Sequence, residues 1–231
     1  MSRGRSGPAL VVLAIAAAVA IPASSRADGP VRLFNGRDLA GWYTYIPHKD
    51  GSDPKADPKG VFKVEDGVIH VSGEEFGCLV TSGEHENYRL VVEFRWGERR
   101  WPPRENEKRD SGILFHCIGP DKVWPRSIEC QIQEGDCGDF WMVDGAELTV
   151  RGERHQGGRA AKTRDAERPK GEWNTVEVVC QGGKVTNIVN GVVVNEGTEA
   201  SLARGKILLQ SEGAEVYYRK VELHPLGGPS S

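Results

Sequence analysis

The stretch Ser127-Ile-Glu-Cys-Gln-Ile-Gln-Glu134 alternates Ile128, Cys130 and Ile132 with Glu129, Gln131 and Gln133. Side chains of a strand point alternately to its two faces, so this segment reads as a strand with an apolar face for a core. Its other face presents a carboxylate and two amides, groups that hydrogen-bond hydroxyls as donors and acceptors. Such a row suits a sugar, and a carboxylate placed there can also move a proton. The same alternation is also what an ordinary solvated sheet face looks like.

Other runs can be phased in the same way. Leu90, Val92 and Phe94 take the core side of one strand and leave Glu93 and Arg95 opposite. Ile113 and Phe115 leave Leu114 and His116, while Ile207 and Leu209 leave Gln210 and Glu212. If these strands lie side by side, one sheet face collects Glu93, Arg95, His116, Glu129, Gln131, Gln133, Gln210 and Glu212. Trp101 and Trp124 stand in proline-containing loops, where an aromatic ring can stack on a pyranose at the rim of a site or close a small core within the loop.

The elements that must position these groups are short β-rich runs punctuated by glycine, with no long helical period. Many strands at short spacing predict an all-β, antiparallel sandwich or barrel. Asn190-Gly191 between valine-rich runs predicts a two-residue hairpin turn. Three polar segments, residues 48–60, 97–109 and 151–171, read as surface loops at the sheet margins, where loops shape ligand sites.

The chain opens with Arg3 and Arg5, an apolar run from Ala9 to Ile21, and small residues at Ser25 and Ala27. This is the pattern of a secretory signal peptide over residues 1–27, which predicts an exported protein, periplasmic or secreted, with no membrane attachment after cleavage. Residues 28–231 then form one domain of a size that β-sandwiches commonly reach. Cleavage removes Arg3, Arg5 and Arg26 and no acid, taking the formal charge from −3 to −6. A mildly acidic chain argues against a nucleic-acid partner.

The five cysteines contain no C-x-x-C pair. Export permits a disulfide without requiring one, and Cys117 and Cys130 on apolar strand faces read equally as buried thiols. Glu134, Asp136 and Asp139 lack the spacing of a calcium loop, so no metal and no cofactor are expected.

Taken in order, several motifs resemble the 3-keto-disaccharide hydrolase family of exported bacterial proteins. They begin with Leu33-Phe-Asn-Gly-Arg-Asp-Leu-Ala-Gly-Trp42, Phe94-Arg-Trp96 and Asp110-Ser-Gly-Ile-Leu-Phe115. Ile128-Glu-Cys-Gln-Ile-Gln133, Gly171-Glu-Trp-Asn174, Asn190-Gly191, Ile207-Leu-Leu-Gln210 and Val216-Tyr-Tyr-Arg-Lys-Val221 complete the set. The resemblance implies a concanavalin-like jelly roll of two curved antiparallel sheets, with a carbohydrate ligand on the concave face. It also implies substrates that are glycosides oxidised to a ketone at C3. Asp110 stands where the family often has Asn, and His116 where it often has Arg.

A C3 ketone acidifies the proton on C2 and sets the glycosidic oxygen on C1 β to the resulting enolate. Cleavage can then proceed by elimination followed by hydration. The reaction needs a base for C2–H, a donor or cation for the enolate oxygen, and an acid for the leaving group. This reading gives Glu129 or His116 the base role and Arg95 the enolate. Gln131, Gln133 and Gln210 take the hydroxyls, with Glu93, Glu212, Trp101 and Trp124 as further contacts.

Two other classes fit the same residues. A non-catalytic lectin-like module needs only the amides and rim tryptophans. A glucanase-type glycosidase needs a second carboxylate about 5 Å from the first; the next two outward positions after Glu129 are Gln131 and Gln133, which leaves Glu93 or Glu212 to supply it from a neighbouring strand.

Overall fold

A computed structural model describes residues 29–227, and the signal-like segment falls outside them. The described residues form sixteen strands. These are β1 (Val31–Arg32), β2 (Trp42–Tyr45), β3 (Phe62–Glu65), β4 (Val68–Val71), β5 (Gly77–Thr81), β6 (His85–Glu86), β7 (Tyr88–Arg100) and β8 (Gly112–Ile118). They continue with β9 (Arg126–Gln131), β10 (Phe140–Val150), β11 (Glu153–Ala160), β12 (Asn174–Gln181), β13 (Lys184–Val189), β14 (Val192–Thr198), β15 (Arg204–Ser211) and β16 (Ala214–Pro225).

Pairing is antiparallel throughout and follows the path β2-β5-β15-β8-β9-β10-β14-β13-β12-β7-β16-β4-β3. The path folds between β10 and β14, where only Thr149↔Thr198 and Val150↔Gly197 pair. It thereby makes the two packed sheets of a jelly-roll sandwich. The first sheet runs from β2 to β10, and the second from β14 to β3.

The phasing predicted from alternation holds except at the end of β8, where the pairing shifts after Phe115 and Cys117 joins Leu114 and Leu208 on the other face. Leu90, Val92 and Phe94 from the second sheet meet Ile113, Phe115, Ile128, Cys130, Ile207 and Leu209 from the first in one buried core. Asn190 and Gly191 both take positive φ, 48° and 81°, and join β13 to β14 as a tight hairpin. All five cysteines are buried free thiols.

Two polar segments depart from their reading as loops, and the first does so because β7 continues through residues 97–100 of the segment 97–109. Within residues 151–171, β11 pairs along β10 at a sheet margin. Its Arg and Gly content hides the strand because its outward side chains are solvated and ion-paired, as Arg154 is with Glu147. An edge strand of this kind keeps its charges outward.

Candidate functional site

The register of the first sheet lays its outward side chains in rows. Arg159, Trp141, Glu129, Leu114, Leu208, Val80 and Tyr43 are successive Cα partners across β11, β10, β9, β8, β15, β5 and β2. In the next row Gln131 pairs with Gly112, and Gln210 pairs with Cys78. Asp110 and Glu212 lie just beyond the ends of β8 and β15.

The row is not uniformly open. Leu114, Leu208, Val80 and Cys78 form a small buried cluster of their own with Tyr43 and Tyr45. Residues 119–125 fold over it, with the Tyr43 hydroxyl donating to Asp121 at 2.7 Å and the Cys78 thiol donating to the Lys122 carbonyl at 3.5 Å. This loop carries Trp124, which is 42 % exposed and meets Phe76 edge-on, with ring centroids 6.1 Å apart.

Glu129 lies across Gly112 toward Gln210. A Cβ on Gly112 would stand 1.9 Å from Glu129 Oε1 and 2.4 Å from Gln210 Oε1, so the missing side chain makes the room in which carboxyl and amide meet. Both polar atoms of the Gln210 amide are buried without a hydrogen-bond partner. A buried amide left unpaired costs about 1–3 kcal/mol, and such an orphan is a natural contact for a ligand hydroxyl or carbonyl.

Beside them sits a carboxylate cluster sharing one guanidinium. Arg104 donates to Asp110 at 2.7 Å and to Glu212 at 2.9 Å, and its Nε lies 3.1 Å from Glu107. Asp110 also accepts from the Gln133 amide at 2.5 Å.

One cation does not neutralise this many acids. Burial raises the Glu129 carboxyl well above the usual range, and the charges of Glu212 and Asp110 raise it further. Burial and the Asp110 charge push Glu212 up to about 7, against the pull of Arg104. Asp110 is raised by burial too, despite its bonds to Arg104 and Gln133. The cluster therefore holds a proton near neutral pH and can pass it.

Arg95 and Glu93 are corrections to the sequence reading. Both lie on β7, which pairs with β12 and β16 in the second sheet, and they face outward there. Arg95 sits between the rings of Trp173 and Tyr217, at 5.0 and 5.1 Å, and Glu93 pairs with Arg219. Alternation gives the phase of a strand and not its sheet, so neither residue converges with Glu129.

His116 is a third correction. The β8–β9 pairing breaks between Phe115 and Ile118, and His116 takes φ 53°, which turns its ring out of the alternating pattern. The ring is buried edge-on to Tyr88 and Phe115, at 5.5 and 5.4 Å, with Nδ1 3.0 Å from the Leu202 carbonyl. Burial lowers its pKa to about 4, so it is a neutral packing group.

Two more expected contacts are taken up locally. The Gln131 side-chain oxygen accepts from the backbone N–H groups of Ile132 and Gln133, at 2.9 and 3.1 Å. Trp101 donates from Nε1 to the Ser72 carbonyl at 2.9 Å, and its own carbonyl accepts from the Arg104 N–H at 2.8 Å, so it fixes the loop that carries Arg104. Glu129, Gln210, Gln133 and Glu212 do assemble, and Trp124 stands on the loop over the same face.

The sequence reading missed Arg104, Trp141 and the part played by Gly112. Trp141 had a usable signal, since it falls between the core residues Phe140 and Met142 and must face the Glu129 side. Arg104, in an irregular loop, had none. Among the described residues no group of three or more His, Cys, Asp or Glu is arranged to hold a metal ion.

The family model for the 3-keto-alpha-glucoside-1,2-lyase-like domain matches residues 29–224. No curated protein matches the chain. Among solved structures, a protein of Parabacteroides distasonis provisionally assigned as a glycosyl hydrolase is 22% identical, with TM-score 0.60 over 87% of this chain and 95% of that one. LamA of Zobellia galactanivorans, solved with laminaritriose and laminaritetraose, is 10% identical, with TM-score 0.59 over 87% of this chain and 100% of the other. A β-glucanase of Bacillus licheniformis is 11% identical, with TM-score 0.56 over 86% and 99%. At these identities the likenesses establish the sandwich fold.

Proposed function

The chain belongs to the 3-keto-alpha-glucoside-1,2-lyase-like family, a carbohydrate-active group, and on that premise we propose that it cleaves 3-keto-glycosides by elimination across C1 and C2. The observation that carries this reading is the buried Glu129 carboxyl, set against the orphaned Gln210 amide over Gly112 and beside a proton-holding acid cluster.

Elimination asks for three things at once, and each has a candidate here. Glu129, in its carboxylate form, takes the proton from C2. Its raised pKa makes it a stronger base than an exposed carboxylate once it is ionised. Gln210 Nε2 donates to the C3 oxygen, where negative charge gathers as the enolate forms. Glu212, half-protonated near pH 7, gives its proton to the departing glycosidic oxygen.

The balance closes without another reactant. The C2–H and C1–O bonds break, a C1–C2 double bond forms, one proton goes to Glu129, and the aglycone leaves with one from Glu212. Proton exchange with solvent through the Asp110–Arg104–Glu212 cluster restores the starting state. Water can then add to the unsaturated keto sugar.

This assignment replaces His116 and Arg95 with groups that share a face with Glu129. Because the site operates only on an already acidified C2–H, the unoxidised parent glycoside should be inert. Incubating the mature protein with a 3-keto-glucoside and its parent, and following loss of each, tests the reading. Cleavage of the keto form alone supports it; cleavage of the parent, or binding of plain glycans with no cleavage of either, sinks it in favour of a glucanase or a lectin-like module. We also propose export, on the strength of residues 1–27.

A further inference from the structure

We infer that Trp141 forms a stacking subsite for the pyranose ring of the reacting sugar, which rests on the reading of Glu129 as the proton-transfer group. Trp141 and Glu129 are direct Cα partners on neighbouring antiparallel strands. Their Cβ atoms are therefore about 5 Å apart on one sheet face. The Glu129 side chain runs from this register position toward Gly112 and Gln210, so a ring lying on the indole has its far edge on the side of the carboxyl that must meet C2–H.

The exposure of Trp141 is the second part of the argument. It is 36 % exposed, one strand in from the edge strand β11, in the same row as the fully covered Leu114 and Leu208. Neither a packed ring nor a cation covers it among the described residues. What gives this open ring meaning is its place beside Glu129 and the sugar-hydroxyl donors, with a flat apolar face on the same side of the sheet. The face of a pyranose with its axial C–H bonds is an apolar partner for the indole, while its hydroxyls reach Gln210 and Gln133 at the ring edge.

Arg159 limits the platform on the far side. It is the Cα partner of Trp141 on β11 and is held by Asp139 and Asp136, at 2.5 and 3.1 Å. Its charge is neutralised there, so the subsite recognises a neutral ring face and not an acidic sugar.

The test uses Trp141→Ala and Trp141→Phe with the 3-keto-glucoside, and calorimetric binding measured in a Glu129→Gln background that does not turn over. Loss of one stacked ring is expected to raise KM and Kd about ten-fold. The kcat should stay within about three-fold, and Trp141→Phe should recover most of the affinity. A purely structural role would lower the melting temperature of both variants without this KM-against-kcat split. Unchanged binding in Trp141→Ala, or a Trp141→Phe variant as weak as the alanine one, overturns the subsite whatever the turnover. Failure of the wild-type protein to cleave the keto sugar, with weakened sugar binding in Trp141→Ala, overturns the elimination reading and leaves the subsite standing.

Discussion

Replacing Gly112 with alanine should disable the site while leaving the fold in place. The added Cβ would stand 1.9 Å from Glu129 Oε1 and 2.4 Å from Gln210 Oε1, where ordinary contact begins near 3.4 Å. The carboxyl must therefore retreat by about 1.5 Å and the amide by about 1 Å. Gly112 lies in β8 with no left-handed φ, so alanine meets no backbone penalty and the whole effect is steric. The atoms in the way are side-chain ends, which move more cheaply than backbone, so the stability cost should sit near the low end of the roughly 1–3 kcal/mol typical of overpacking. That corresponds to a fall in melting temperature of about 2–4 °C per kcal/mol for a domain of this size. A misplacement of about 1 Å in a reacting group costs about a hundred-fold in rate. The assay is kcat/KM on a 3-keto-glucoside beside a thermal melt. A Gly112→Ala protein that keeps the wild-type rate, while Glu129→Gln is inactive, would show that Glu129 works from some other position and would refute the reasoning.

Glu129→Gln keeps the shape of the side chain and removes its base, so kcat should fall by about 10²–10⁴-fold; a melt should show no loss of stability, because a buried carboxyl held protonated already behaves as a neutral group. Glu212 has its folded pKa raised from 4.5 to about 7, so the folded state binds more protons across that window and stability falls as pH rises through it. The full span is worth at most about 3–4 kcal/mol, and Glu212→Gln should flatten the fall in melting temperature between pH 5 and 8. Arg95→Ala should leave kcat/KM within about two-fold and cost about 1 kcal/mol from its lost ring contacts, measured by urea unfolding; a hundred-fold loss of rate would restore Arg95 to the chemistry.

The fold was legible because period-two alternation fixes which residues enter the core. Leu90, Ile113, Ile128 and Ile207 all point where their spacing said. Sheet membership was not legible, since β7 and β9 carry the same signature and lie in different sheets. Arg95 and Glu93 were drawn into the wrong constellation for that reason alone. His116 failed differently, through a break in pairing that no local pattern announces. Arg104 comes from an irregular loop whose path is fixed by contacts distant in sequence, such as Trp101 to Ser72 and Gly213. The hidden strand β11 shows the same limit from the opposite side, because charged outward residues make an edge strand read as a loop.

What the sheet contributes to chemistry is separation of two carboxyls into two roles. A lone exposed glutamate is fully ionised at pH 7 and is a weak base and no acid. Here burial raises Glu129 and Glu212 together, but only Glu212 is tied to the guanidinium of Arg104. Glu129 is raised further by the charges of Glu212 and Asp110, and Glu212 by that of Asp110, so these three carboxyls resist ionising together. An elimination that removes a proton at C2 and delivers one at the C1 oxygen needs that kind of pair. A retaining glycosidase instead needs a nucleophilic carboxylate about 5 Å from its acid, and the outward positions that follow Glu129 on its own strand face are the amides Gln131 and Gln133. The orphaned Gln210 amide beside Glu129, a donor for a ketone oxygen that becomes an enolate, is what favours elimination over nucleophilic attack, on a sandwich that glucanases also use.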